Sequence, residues 1–85
     1  MRYFLHIEDG VSRIEDKEGS ELPTLEEARC EALAAARQLW AAAIVEVRDV
    51  SMYRFVVTDS EGKVLTQLGF VEALPARLRE RLSEE

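Results

Sequence analysis

The chain has 85 residues, an apolar fraction of 47 % and a formal net charge of −6. This length corresponds to one small domain, and the acidic balance argues against attraction of the whole surface to nucleic acid or to an anionic membrane. Cys30 is the single cysteine, so these residues form no internal disulfide. No apolar run approaches the roughly 20 residues that cross a bilayer. We therefore expect one cytoplasmic domain, residues 1–85, without membrane association.

The first segment, residues 2–8, alternates between two faces as a β-strand does. One face carries the apolar set Tyr3, Leu5 and Ile7, and the other carries Arg2, Phe4, His6 and Glu8. Asp9-Gly10 predicts a tight turn. Residues 11–15 then predict a short second strand, in which Ile14 is the best core candidate. The polar stretch 16–23 predicts a loop.

A long helix is predicted from about Leu25 to about Val47. Thr24 is a favourable N-cap, and Glu27 three residues later completes a capping box. At about 100° per residue, one apolar stripe faces the sheet. Its members are Leu25, Ala32, Ala36, Leu39, Trp40, Ala43 and Val47. The alanines in this stripe predict a close approach of the helix to the sheet.

Two further strands, residues 52–59 and 63–70, are predicted on either side of the turn at Asp59–Gly62. In the first, Tyr53, Phe55 and Val57 share a face; in the second, Val64, Leu68 and Phe70 share one, with Leu65 and Gln67 opposite. Pro75 precedes a short helix that continues the leucine stripe Leu74, Leu78 and Leu82. A helix this short is marginal by itself and needs something to pack on.

These elements predict an α+β fold: a four-stranded antiparallel sheet in the order ββαββ, with one long helix on one face and a short C-terminal helix. A right-handed crossover from the second strand over the first places the third strand beside the first. The predicted strand order is therefore 2-1-3-4. The core is expected within residues 2–70, and residues 75–84 form a helical tail.

Several of these segments resemble a known family. They are the opening Arg-Tyr-Phe-Leu-His-Ile-Glu-Asp-Gly, the start of the helix at residues 22–28 (Leu-Pro-Thr-Leu-Glu-Glu-Ala), and Leu68-Gly69-Phe70. Such segments are similar to small, mostly alphaproteobacterial proteins that share a domain of unknown function. The resemblance covers roughly residues 2–75; Leu5 and Gly69 stand where the family would have Phe and Pro. It implies a fold and a bacterial setting, and no site. A weaker similarity, in the hairpin strands and the start of the helix, is to HicB-type antitoxins.

The sheet face away from the helix mixes aromatic, aliphatic and basic residues in an acidic protein. This predicted interaction face consists of Arg2, Phe4, His6, Arg13, Arg54, Val56, Lys63, Leu65 and Gln67. Three interpretations stay open: the face is exposed to water, it is covered by a second copy or by the tail helix, or it binds single-stranded nucleic acid or a small anion. We expect it to be covered, in a homodimer to which the tail contributes Leu74, Leu78 and Leu82.

No residue pattern indicates catalysis. Cys30 and His6 are expected on different sides of the sheet, so they form no nucleophile pair, and His6 with Glu8 falls short of the three or four ligands of a metal site. We therefore expect no catalytic, metal or cofactor site, and no enzyme. The predicted function is a small self-associating interaction domain. The alternatives are a toxin-neutralising or regulatory protein-binding module and, with less support from the acidic charge, a binder of single-stranded nucleic acid.

Overall fold

The computed structural model describes residues 1–83 and places one long helix across one face of an antiparallel sheet. In chain order the elements are β1 (Arg2–Glu8), β2 (Arg13–Ile14), β3 (Ser20–Glu21), α1 (Leu25–Val45), β4 (Arg54–Thr58), β5 (Val64–Gly69), a 3-10 helix (Phe70–Ala73) and α2 (Ala76–Ser83). The predicted α+β class is confirmed. The predicted tail reaches residue 84, which lies outside the described residues.

Strands β2, β1, β4 and β5 lie side by side in that order and pair antiparallel. This is the predicted 2-1-3-4 arrangement, because these four strands correspond to the four that the sequence predicts. The two-residue strand β3 was not predicted. It pairs Arg2 with Glu21 and Tyr3 with Ser20, and so extends the edge of β1 that lies opposite β4.

Between β2 and β3, a side chain rather than a strand accepts the hydrogen bond from the outer edge of β1. Asp16 accepts a hydrogen bond from the backbone N–H of Leu5 at 3.1 Å through one carboxylate oxygen. Through the other oxygen it accepts from the N–H groups of Glu18 and Gly19. Burial opposes ionisation of this carboxyl, but these three donors and the nearby His6 outweigh it and lower the pKa of Asp16. The predicted loop is therefore tied to the sheet by its first residue.

The core lies between α1 and the sheet, as the two apolar patterns predict. Its buried residues are Tyr3, Ala28, Ala32, Ala36, Ala43, Val50, Phe55, Val57, Leu68 and Phe70. Thr24 caps α1 as expected, because its Oγ1 accepts from the N–H of Glu27 at 3.1 Å. The helix ends at Val45, two residues before the predicted end. Val47 was therefore assigned wrongly to the core stripe, and its side chain is 91 % exposed.

Two further core assignments are wrong. Ile14 is 65 % exposed, because β2 is only two residues long and forms the edge of the sheet. Leu65 was placed on the face away from α1, yet it packs against the core. A bulge pairs Thr58 with Val64 and Val57 with Thr66, and the extra residue reverses the expected alternation.

Candidate interaction site

Helix α1 ends in a turn that holds a valine in the left-handed region. The N–H of Arg48 donates to the carbonyl of Ala43 at 2.7 Å, and the N–H of Glu46 donates to that of Ala42 at 3.0 Å. Between them Val47 has φ 56°, where glycine is usual and a β-branched residue is strained. Val47 is almost fully exposed, so packing of its side chain within the chain does not offset this strain. Strain of this kind concentrates at functional sites.

The segment after β5 is anchored across α1 by Phe70. Its carbonyl accepts from the indole Nε1–H of Trp40 at 2.9 Å, and its N–H donates to the carbonyl of Tyr53 at 2.9 Å. The Phe70 ring is buried and packs on Phe55, with ring centroids 5.2 Å apart. These contacts fix the 3-10 helix, and Pro75 then starts α2 beside the C-terminal end of α1.

An apolar groove of about 560 Å³ lies between the end of α1 and α2. We call it the α1–α2 groove. It is lined by Trp40, Ala43, Ile44, Val47, Arg48, Asp49, Ser51, Leu74, Leu78 and Leu82. Single exposed apolar residues are ordinary on a protein surface, whereas a contiguous apolar groove is a candidate binding surface.

The groove contains all three predicted tail leucines, Leu74, Leu78 and Leu82. Opposite them it places Ile44 and Val47, which were not predicted as site residues. Ile44 is 69 % exposed, because it lies one residue beyond Ala43 on α1 and so points away from the core. One sequence signal could have identified Ile44 as a site residue: it is apolar, lies near the end of the helix and is out of phase with the core stripe.

The rim of the groove carries both signs of charge. Asp49 accepts a hydrogen bond from the N–H of Ser51 at 2.8 Å. Hydrogen bonds from the side chain and the backbone of Ser51 lower the pKa of Asp49, so its carboxylate stays ionised. Arg48 pairs with Glu46 at 2.7 Å. A partner that enters this groove therefore meets an apolar floor and a fixed negative charge at the edge.

The centre of the predicted interaction face of the sheet is buried. His6, Val56 and Thr58 are each less than 10 % exposed. Nδ1 of His6 accepts from the backbone N–H of Asp16 at 3.1 Å, so this nitrogen carries no proton. Nε2 then carries the proton and donates to Oγ1 of Thr58 at 2.9 Å. His6 was predicted to lie on the interaction face; instead it is buried and links β1, β4 and the loop before β3.

The aromatic part of this face is also covered in part. The Phe4 ring lies nearly parallel to the His6 ring, with centroids 6.4 Å apart, and its side chain is half-buried. Gly19, with φ 70°, lies directly against it: a Cβ at this position would come within 2.9 Å of Phe4 Cε2 and of the Tyr3 carbonyl oxygen. The loop before β3 therefore approaches Phe4 as closely as only a glycine allows.

The arginines of this face are paired with carboxylates. Arg13 and Arg54 each approach Glu8 to 2.7 Å. The hydrogen bond from Arg13 and, after it, the charges of both guanidinium groups lower the pKa of Glu8. Arg2 lies 3.7 Å from a carboxylate oxygen of Glu21. Of the other predicted members, Gln67 and Lys63 are exposed. The three arginines of the sheet face are therefore already paired, and the open apolar surface lies at the α1–α2 groove.

The part of the chain that the structure describes, residues 1–83, holds no group of three His, Cys, Asp or Glu side chains placed to bind a metal ion. Within the same residues, no helix combines the length and the apolar character that a bilayer span requires.

The chain matches a known family over most of its length. A family model described as a domain of unknown function, DUF6894, matches residues 2–71. The chain belongs to the DUF6894 family. This confirms the predicted resemblance to a family with a domain of unknown function; the bacterial setting and the similarity to HicB-type antitoxins stay predictions. The matched region contains all five strands and α1 and stops within the 3-10 helix, so α2 and its leucines lie beyond the DUF6894 match. No curated protein and no solved structure matches the chain.

Proposed function

We propose that this DUF6894 protein is a small cytoplasmic interaction domain that self-associates through the α1–α2 groove and has no catalytic activity of its own. The observation that carries the proposal is the open apolar groove of about 560 Å³ between α1 and α2. The exposed free thiol of Cys30 supports a reducing compartment.

The accessible surface supports association. The chain exposes 5882 Å², whereas a compact monomer of 9.7 kDa exposes about 5100 Å². The excess of roughly 750 Å² is spread over the whole chain, and exposed apolar side chains form part of it. Ile44 and Val47, exposed by 69 % and 91 %, contribute apolar area to it.

A second copy is the occupant that the size of the chain favours. A domain this small buries only about 60–65 % of the surface that its unfolded chain exposes, and association of folded chains adds stability by mass action. Nucleic acid is less favoured, because Arg2, Arg13 and Arg54 already pair with carboxylates. The alternative occupant of the same groove is a different protein. The following experiment distinguishes the two, because only self-association raises the mass of the purified chain.

Sedimentation equilibrium at micromolar concentration should give twice the 9.7 kDa mass of one chain. Ile44→Glu should weaken the dimer at least ~10-fold, because it places a charge where the interface is dry. Ile14→Glu is the matched control: the same residue type is exposed by 65 % rather than 69 %, at the β2 edge of the sheet. It should leave the mass unchanged.

Two results would count against the groove. A parent protein that stays monomeric at about millimolar concentration would show that the chain does not self-associate. A dimer that survives Ile44→Glu but dissociates with Phe4→Glu uses the sheet face instead, as the sequence alone suggests.

A further inference from the structure

We propose that the occupant of the α1–α2 groove is α2 of a second copy, so that the two chains bury their leucine stripes reciprocally about a two-fold axis. This inference rests on the proposed self-association and names the element that makes the contact.

Helix α2 is only partly supported by its own chain. It has eight residues, and an isolated helix of this length is not stable in water. It is held by Pro75 and by contacts to the 3-10 helix, including Arg79 Nη1 donating to the carbonyl of Glu72 at 3.4 Å. Leu78 and Leu82 line the groove yet remain 50 % and 40 % exposed. A second α2 in the groove would complete their burial.

The distribution of charge favours contact at this end of the molecule. Two copies that each carry −6 repel one another. The acidic residues Glu26, Glu27 and Glu31 crowd the first half of α1, whereas residues 33–45 carry Arg37 and no acidic side chain. Residues 76–82 carry three arginines and one glutamate. Glu31 lies 14 residues, or about 21 Å along the helix, from Val45, so meeting at the groove keeps these three glutamates beyond the roughly 8 Å over which salt screens charge. At the groove itself, Glu46 and Asp49 flank Arg48 in the sequence.

The rim of the groove is complementary to α2 in charge as well as in polarity. Asp49 is held ionised by Ser51 at the edge of the apolar floor. On α2, Arg77 and Arg81 flank Leu78 and are exposed. An α2 helix that lays its leucines on the floor brings these arginines towards Asp49 of the other copy, where a charge-assisted hydrogen bond can form.

Two-fold symmetry predicts which residue meets itself. Leu78 is the middle member of the stripe Leu74, Leu78 and Leu82. In a parallel pair each leucine faces its own copy, and in an antiparallel pair whose stripes overlap fully the middle residue does, so Leu78 meets itself in both arrangements. A cysteine at position 78 should then fall within the ~4.4–6.8 Å Cα separation that a disulfide requires.

Disulfide trapping tests this geometry in the full chain with Cys30→Ser as background. Leu78→Cys is compared with Val64→Cys, which is exposed by 48 % against 50 % for Leu78. Val64 lies on β5, the other edge strand of the sheet, so it also reports the rival edge-to-edge dimer. Under oxidised glutathione, which takes up the two electrons and two protons of the paired thiols, Leu78→Cys should form a covalent dimer at least ~10-fold faster. Melting curves confirm that both variants are folded.

The outcomes distinguish this inference from the proposed self-association on which it rests. Faster trapping at position 78 supports reciprocal α2 docking. A parent protein that sediments as a dimer while Leu78→Cys traps no faster than Val64→Cys overturns α2 docking and leaves self-association standing. A monomeric parent overturns both.

Discussion

The strained end of α1 yields a prediction in which stability and association change in opposite directions. Val47 has φ 56°, and an L-residue in the left-handed region costs roughly 1–2 kcal/mol. Val47→Gly removes this cost. We expect the folded chain to gain stability and the dimer to lose affinity, because the same substitution deletes an apolar wall of the α1–α2 groove.

The size of the gain follows from two opposing effects. Glycine makes the unfolded chain more flexible, which costs about 0.5–1 kcal/mol. Val47 is 91 % exposed, so almost no buried area is lost within the chain. The net stabilisation is therefore about 0.5–1 kcal/mol. For a domain of this size the melting temperature should rise by roughly 3–6 °C.

Thermal melting should be followed in an Ile44→Glu background, so that loss of the dimer does not mask the effect. Val11→Gly is the matched control, because Val11 is 96 % exposed and lies outside the left-handed region. It should lower the melting temperature or leave it unchanged. If Val47→Gly behaves like Val11→Gly, the strain at the end of α1 does not exist in solution, and the turn adopts another conformation.

Substitutions at two further positions test the core and the edge of the sheet. Trp40→Ala should cost about 3–5 kcal/mol in urea unfolding, and Trp40→Phe, which keeps an aromatic ring but lacks the donor to the Phe70 carbonyl, at least about 1 kcal/mol; a Trp40→Phe variant as stable as the parent would show that this bond contributes nothing. Asp16→Ala should cost about 1–3 kcal/mol at pH 7, because it leaves the Leu5 N–H without its partner. The pKa of Asp16 is lowered below 3.8, so this contribution is complete above that value and is lost as the pH falls through the lowered pKa. The parent and the variant should converge as the pH falls through the lowered pKa of Asp16, and a difference that stays constant through that fall would exclude a role for the charge.

The sequence by itself determined the order of the four strands β1, β2, β4 and β5 and of the two α-helices, because local chemistry specifies each of these. Thr24 and Glu27 predict where α1 begins, and the turns at Asp9 and Asp59 separate strands whose alternation shows their apolar side. A crossover of fixed hand then leaves one strand order. The same local signals predict that the leucine stripe of α2 needs something to pack on.

Only the tertiary structure decided which apolar residues remain exposed. Leu65 lies on the face opposite to the predicted one, because one extra residue in β5 shifts the register. A strand pattern in the sequence cannot show such a bulge. The loop before β3 covers His6 through contacts between residues ten positions apart, so the predicted sheet face is closed at its centre. Ile44 and Leu78 line the same groove because α2 lies beside the end of α1. The hydrogen bond between Trp40 and Phe70, which are 30 residues apart, fixes this arrangement. Such contacts between distant segments depend on how the elements pack, and the sequence pattern of a single element carries no information about them.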